Sequence, residues 1–218
     1  MAKKFDLLVF DWDGTLLDST GAIVAAVQSA CRDLGIPEPS DTHASQVIGL
    51  GLADALRHSA PDLPEERFPE MLDRYRYHYL SRDKELKLFN GVFQLIEELH
   101  SSGFMLAVAT GKSRLGLNRA LESSRLGKYF PVSRCADECF SKPHPQMLHE
   151  LIDEFSVLPE RVLMVGDTTH DLQMAINAGV SGLAVSYGAH SAEALDSLRP
   201  LARLNTPDEL ARWLHANA

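Results

Sequence analysis

The chain has 218 residues, 45% hydrophobic and 23% charged, which is enough apolar material for one sizeable core plus a smaller appended unit. A formal net charge of -9, with no block of Lys and Arg interrupting it, argues against a nucleic-acid partner, and no apolar stretch approaches the ~20 residues that cross a bilayer. Cys31, Cys135 and Cys139 are odd in number and form no Cys-x-x-Cys, which argues against a disulfide framework and a zinc knuckle.

The N-terminal Met-Ala-Lys-Lys lacks the h-region of a secretory signal, so the expected location is the cytoplasm. The first predicted element is Phe5 to Phe10, a short, almost wholly apolar run of the kind that forms a strand covered on both faces. It ends at Asp11. Helical apolar spacing without a strand signal follows over Ile23 to Leu34, Ala44 to His58 and Glu65 to Leu80, punctuated by Pro37, Pro39, Pro61 and Pro64. We read residues 19–88 as a helical insert, and 1–18 with 89–218 as the core that it interrupts. Asn90 followed by Gly91 predicts an N-cap leading back into that core.

Strand-like runs recur at Phe104 to Thr110 and Val162 to Asp167, with helical segments between them, predicting a doubly wound, Rossmann-like α/β fold with a parallel sheet. Thr206, Pro207 and Glu209 predict a capping box that opens a last helix, Pro207 to His215. Ligands of such sheets bind outside the carboxyl ends of the strands, so Asp11, Thr110 and Asp167 converge on one crevice.

Asp11-Trp12-Asp13-Gly14-Thr15 directly follows the first strand. Two acids at the end of a buried strand are costly unless a cation or partner compensates them. Taken alone, the segment also reads as a solvated turn with Asp capping the next helix. Val165-Gly166-Asp167-Thr168-Thr169-His170-Asp171 repeats the arrangement, with Asp171 one helical turn further on and facing the same way. Here the plainer alternative is a helix N-terminus that carries Asp for its dipole. Oxygen ligands with no thiolate or histidine set suit Mg²⁺ rather than zinc. Thr110-Gly111-Lys112-Ser113 ends a strand and opens a helix, presenting a hydroxyl and backbone N–H groups to an anion. Ser141-Lys142-Pro143-His144-Pro145 supplies an ammonium that can neutralise a phosphoryl oxygen.

Together these four segments resemble the four signature motifs of the haloacid dehalogenase superfamily, in its order and at its strand ends, over essentially the whole chain. Asp-Trp-Asp-Gly-Thr-Leu-Leu-Asp-Ser with Gly-Asp-Thr-Thr-His-Asp is similar to the phosphoglycolate phosphatase branch. The resemblance implies a Mg²⁺-dependent phosphatase acting on a small phosphorylated metabolite through an aspartyl-phosphate. It implies Asp11 as nucleophile, Asp13 as general acid and base, and Thr110, Gly111 and Lys142 as phosphate ligands. Mg²⁺ would rest on Asp11, the Asp13 backbone carbonyl and Asp167, with Asp171 supporting the metal or Lys142, and the insert would be the family's small cap. Two positions depart from the pattern: Gly111 stands where relatives often carry Asn, and Asn90 where a proline is common.

Other readings fit less well. A P-loop needs glycine where Leu106 stands, the run around Ser186 lacks the first glycine of a nucleophile elbow, and Gly49-Leu50-Gly51 reads as a cap loop rather than a dinucleotide fingerprint. His144 and His149 have the wrong spacing for a zincin helix. No lysine lies between Lys4 and Lys84, which removes a phosphonatase-type Schiff base, and Asp13 is an acid that true dehalogenases of the family do not keep. A sugar phosphomutase is the alternative, although mutases commonly carry an aliphatic residue where Thr15 stands. A non-catalytic binding module is the other, opposed by the intact set of acids and Lys142. Arg57, Arg74 and Arg76 are candidates for a substrate carboxylate, or simply solvated partners of Asp54 or Asp73. Phosphoglycolate is the substrate expected from resemblance alone; oligomeric state is not readable.

Overall fold

A computed structural model describes residues 3–218. Its centre is a parallel six-stranded sheet of β1 (Leu7–Phe10), β2 (Met105–Thr110), β3 (Val132–Cys135), β4 (Val162–Gly166), β5 (Ser181–Val185) and β6 (Arg203–Leu204), in the spatial order β3-β2-β1-β4-β5-β6. All four residues of β1 have no exposed surface. Leu8 and Phe10 enter a core with α5 (Val92–Ser101), α6 (Arg114–Ser124) and α10 (Pro207–Asn217), whereas Leu7 and Val9 enter another with α7 (Gln146–Phe155) and α8 (Thr169–Ala178). Alternate side chains of a strand point to opposite faces, so helices on both sides require an unbroken apolar run. Burying each such side chain contributes about 1.5–3 kcal/mol. This holds β1 in the middle and leaves Asp11 as the first polar residue at its carboxyl end.

The chain winds first to β2 and β3 on one side of β1, then crosses to β4, β5 and β6 on the other. β1 is thus the topological switch point, where the crossovers part and leave a crevice. The register pairs Phe10 with both Val108 and Val165, so the residues just beyond these strands share that crevice.

Between β1 and α5 lie α1 (Thr20–Asp33), α2 (Asp41–Gln46), α3 (Leu52–Ser59) and α4 (Phe68–Arg82). Val27, Ala30, Cys31 and Leu34 of α1 and its C-cap pack with Leu56, Phe68 and Met71 in a separate small core. The chain leaves and re-enters the sheet domain as a paired bridge: Asp18 N donates to Lys87 O at 2.9 Å and Phe89 N to Leu16 O at 3.0 Å.

Three local expectations need correction. Ala44 to His58 is two helices rather than one. Gly49 has φ +94°, a conformation costly for other residues, and Gly51 is the extended N-cap of α3. The apolar spacing persists across the break because Val47 and Ile48 face the site cavity. Asn90 does not cap α5; Gly91 occupies the N-cap at φ +82° with no side-chain bond. Thr206 does cap α10, but Glu209 returns its bond to the N–H of Asn205 rather than to the cap residue. The remaining helix, α9 (Ala192–Ser197), flanks β5. Among the described residues no helix is long and apolar enough to cross a membrane.

Candidate active site

Asp11 extends β1 by one ladder bond, its N–H donating to Val165 O at 2.9 Å, and is thereby fixed at the crevice. Asp167 follows β4, and Asp171 lies in the first turn of α8. Oxygens of these three carboxylates lie within 4.8 Å of one another, and all three residues are buried. Lys142, on the loop before α7, donates to Asp11 Oδ1 at 2.7 Å and to Asp171 Oδ1 at 2.6 Å. Asp171 also performs the capping role of the plainer reading. Its Oδ2 accepts from Thr168 N at 3.0 Å and Thr168 Oγ1 at 2.7 Å. Asp167 accepts from Thr15 Oγ1 at 2.7 Å and from Ala189 N at 2.7 Å.

One ammonium against three carboxylates leaves this cluster short of positive charge. Burial pushes Asp11 up to about 7, against the pull of Lys142. Burial and the neighbouring charges of Asp11 and Asp171 hold Asp167 well above the ordinary carboxylate range. Burial disfavours the charge of Lys142, yet the two acids hold its pKa above the usual lysine value. Asp11 Oδ2 is buried with no hydrogen-bond partner. An orphaned carboxylate oxygen within an oxygen-only donor set fits a hard divalent cation.

The carboxylate of Asp13 lies outside that cluster. Both of its oxygens accept from Lys112 Nζ at 2.9 Å, and Oδ1 also accepts from Ser19 Oγ at 2.7 Å. The Asp13 side chain is thus committed to Lys112 and Ser19 rather than to the three-acid cluster. Lys112 Nζ also donates to the hydroxyl of Tyr79, on α4, at 2.9 Å. Burial opposes the charge of Lys112, but Asp13 and Tyr79 outweigh it and hold its pKa above the usual range. Burial and the Asp13 charge push the Tyr79 phenol up to about 12.

Thr110 is buried at the end of β2, where its Oγ1 accepts from Lys112 N at 3.3 Å. Gly111 lies under the loop between α2 and α3. A Cβ placed on it would collide with the carbonyl oxygen of Leu50 and stand 2.8 Å from that of Gly49. The departure from Asn thus has a steric cause: with the loop seated here, no side chain fits. The loop is held by Gly51 N donating to Ser141 Oγ at 2.7 Å. His170 Nε2 and His190 Nε2 both donate to Gln46 O, at 3.0 Å and 3.2 Å. Asp11, Asp13, Thr110 and Lys112 meet the helical insert around a cavity of about 520 Å³.

The model of the haloacid dehalogenase-like hydrolases matches residues 8–185. The chain belongs to this family. It is 33% identical over 217 residues to the probable phosphatase IndB of Dickeya dadantii, covering 96% of this chain and 94% of that protein. It is also 33% identical over 210 residues to the phosphoglycolate phosphatase of Aliivibrio fischeri, covering 92% of each. A crystal structure described as a predicted phosphoglycolate phosphatase from Haemophilus somnus shares the fold, with a TM-score of 0.87, 24% identity and coverage of 97% and 99%. With phosphatase relatives matched almost end to end, this haloacid dehalogenase-like hydrolase is a phosphatase, similar to the phosphoglycolate phosphatase branch.

Several contacts of this hydrolase escape a reading of the sequence. Lys112 reads as the remnant of a P-loop, yet it is the partner of Asp13. Its signal is position: two residues past a strand-end threonine, a long cation reaches across the crevice to the neighbouring strand end. Thr15 and Ser19 orient Asp167 and Asp13, and nothing in their spacing announces those bonds. Of the candidate arginines, Arg57 pairs with Glu65 at 2.6 Å and Arg74 is exposed, both outside the cavity, whereas Arg76 reaches its rim. His144 packs against Phe140 with the rings tilted at 46° and their centroids 4.7 Å apart.

Proposed function

We propose that this enzyme hydrolyses small phosphomonoesters through a phosphoaspartate on Asp11, with Mg²⁺ as cofactor. The observation that carries this reading is Asp11 itself: a buried carboxylate at the switch point, one oxygen anchored by Lys142 and the other without a partner. A carboxylate attacking phosphorus splits one difficult hydrolysis into two easier steps. An oxygen of Asp11 forms the new P–O bond as the ester P–O bond breaks, and Asp13 gives the leaving alkoxide its proton. Water then attacks the phosphoaspartate, Asp13 takes the proton of that water, and inorganic phosphate leaves with Asp11 restored.

Thr110, the Gly111 N–H and Lys142 bind the phosphoryl oxygens and stabilise their charge in a water-poor crevice. Mg²⁺, resting on Asp11, Asp167 and the Asp13 carbonyl, would supply the positive charge that offsets repulsion between carboxylate and phosphate. Asp171 holds Lys142 in place. Residues 19–88 act as a cap that covers the leaving group, hinged at the paired entry and exit segments. Three free thiols and the lack of a membrane-crossing helix among the described residues accord with a cytoplasmic enzyme.

Phosphate release from p-nitrophenyl phosphate in Mg²⁺ tests the reading, with Asp11→Asn beside the wild type. The amide is nearly isosteric but cannot form the phosphoenzyme, so turnover should fall more than ~10³-fold with the fold intact by circular dichroism. Substantial turnover by a folded Asp11→Asn protein removes Asp11 from the nucleophile role.

A further inference from the structure

The leaving-group side of the cavity differs from what a short acidic ester requires. The whole cavity, phosphate end included, is about 520 Å³, within the ~300–1,000 Å³ range of pockets that enclose drug-sized ligands. Its cap walls are apolar, including Ile23, Val47, Ile48, Leu52 and Leu72. Tyr75 and Tyr79 add an aromatic shelf, their rings stacked at 5.9 Å and 15°. The mouth also carries two exposed aliphatic side chains, Leu115 at 70% and Leu80 at 41% exposure, among its charged residues.

The cations are already engaged. Lys112, beside Asp13, spends its contacts on both oxygens of that acid and on Tyr79. Arg76 and Arg119 lie at the exposed rim, each 3.8 Å from an acid of its own, Asp73 and Asp83. Asp54 and Asp137 also face the opening. A carboxylate placed next to Asp13 would meet aliphatic side chains and no free ammonium, and burying an unpaired charge is strongly unfavourable.

We propose that the cavity selects phosphomonoesters of bulky, uncharged alcohols with an aromatic or aliphatic body, and disfavours short carboxylate esters such as phosphoglycolate. The inference rests on the phosphatase reading of Asp11. It departs from the substrate expected by resemblance, because the cap side chains, not the shared motifs, contact the leaving group. Apolar surface of the alcohol would be buried against the cap walls, and the Tyr75–Tyr79 shelf would take a ring face to face.

The test compares 2-phenylethyl phosphate with phosphoglycolate on the full chain in Mg²⁺. Both release an alkoxide, so the comparison reads recognition rather than leaving-group chemistry. The phenylethyl ester should be favoured at least ~10-fold in kcat/KM, chiefly through KM. Leu115→Ser alters an exposed position and should narrow that ratio several-fold by raising KM for the phenylethyl ester. Phosphoglycolate turned over as well as or better than the phenylethyl ester overturns the inference while the phosphatase reading stands, and so does a ratio unmoved in Leu115→Ser. Failure to release phosphate from either ester or from p-nitrophenyl phosphate overturns the phosphatase reading and the inference with it.

Discussion

Gly111→Ala offers a sharp test of how the insert meets the sheet domain. The added methyl keeps the backbone N–H in place for phosphate, yet it would overlap the Leu50 carbonyl oxygen and stand 2.8 Å from Gly49 O and 2.9 Å from Leu50 C. These are backbone atoms of a loop fixed by Gly51 N to Ser141 Oγ at 2.7 Å, so no side-chain rotation relieves the contact. Forcing a methyl into such a space costs about 1–3 kcal/mol. At 1.4 kcal/mol per factor of ten, and with the clash confined to the closed arrangement, kcat/KM should fall roughly 5- to 150-fold.

Stability should barely change, because lifting the loop removes the clash without unfolding either core. The same 1–3 kcal/mol borne by the whole fold would lower Tm by roughly 2–12 °C. Steady-state kinetics on p-nitrophenyl phosphate and thermal melts therefore separate the two cases. Gly21→Ala, in α1 with no atom within 4 Å of the new methyl, is the control. A Gly111→Ala enzyme with kcat/KM within twofold of the wild type would refute the claim that this loop must seat on Gly111 for turnover. A full Tm loss would refute the claim that lifting the loop relieves the clash without unfolding either core.

Asp13→Asn should slow alkyl esters far more than p-nitrophenyl phosphate, whose leaving group needs little protonation; equal losses on both would count against Asp13 as the acid. Chelation should silence the enzyme and Mg²⁺ should restore it. Ca²⁺, with its larger and looser oxygen shell, should bind without supporting turnover, and full activity in Ca²⁺ alone would contradict the role given to the three acids.

The sheet is readable in the sequence because burial on both faces leaves no alternative to the unbroken apolar runs of β1, β2 and β4. The acids are readable for the opposite reason. A carboxylate directly after such a strand serves no packing purpose, so Asp11 and Asp167 stand out. β3 and β6 are not visible in the same way: Val-Ser-Arg-Cys is partly exposed at the sheet edge, and β6 has only two residues. Lys112 is obscured because its function is a reach in space. The bond to Asp13 spans 99 positions in the chain and depends on the β1–β2 register, which no local pattern records.

The cap chamber marks the limit of periodicity as evidence. Val47, Ile48, Leu52 and Leu56 keep helical spacing across Ala44 to His58, although Gly49-Leu50-Gly51 between them reads as a cap loop. In the structure Leu52 and Leu56 touch both the cap core and the cavity, while Val47 and Ile48, on the other side of the break at Gly49, line the cavity alone. Aliphatic side chains that pack a core and those that wait for an apolar ligand obey the same hydrophobic pattern, since both are withdrawn from water. Two glycines, Gly49 at positive φ and Gly51 at the N-cap of α3, interrupt the run between residues that line the cavity. The local trace of the cavity is therefore the glycine pair Gly49 and Gly51, with Val47 and Ile48 before it and Leu52 after it.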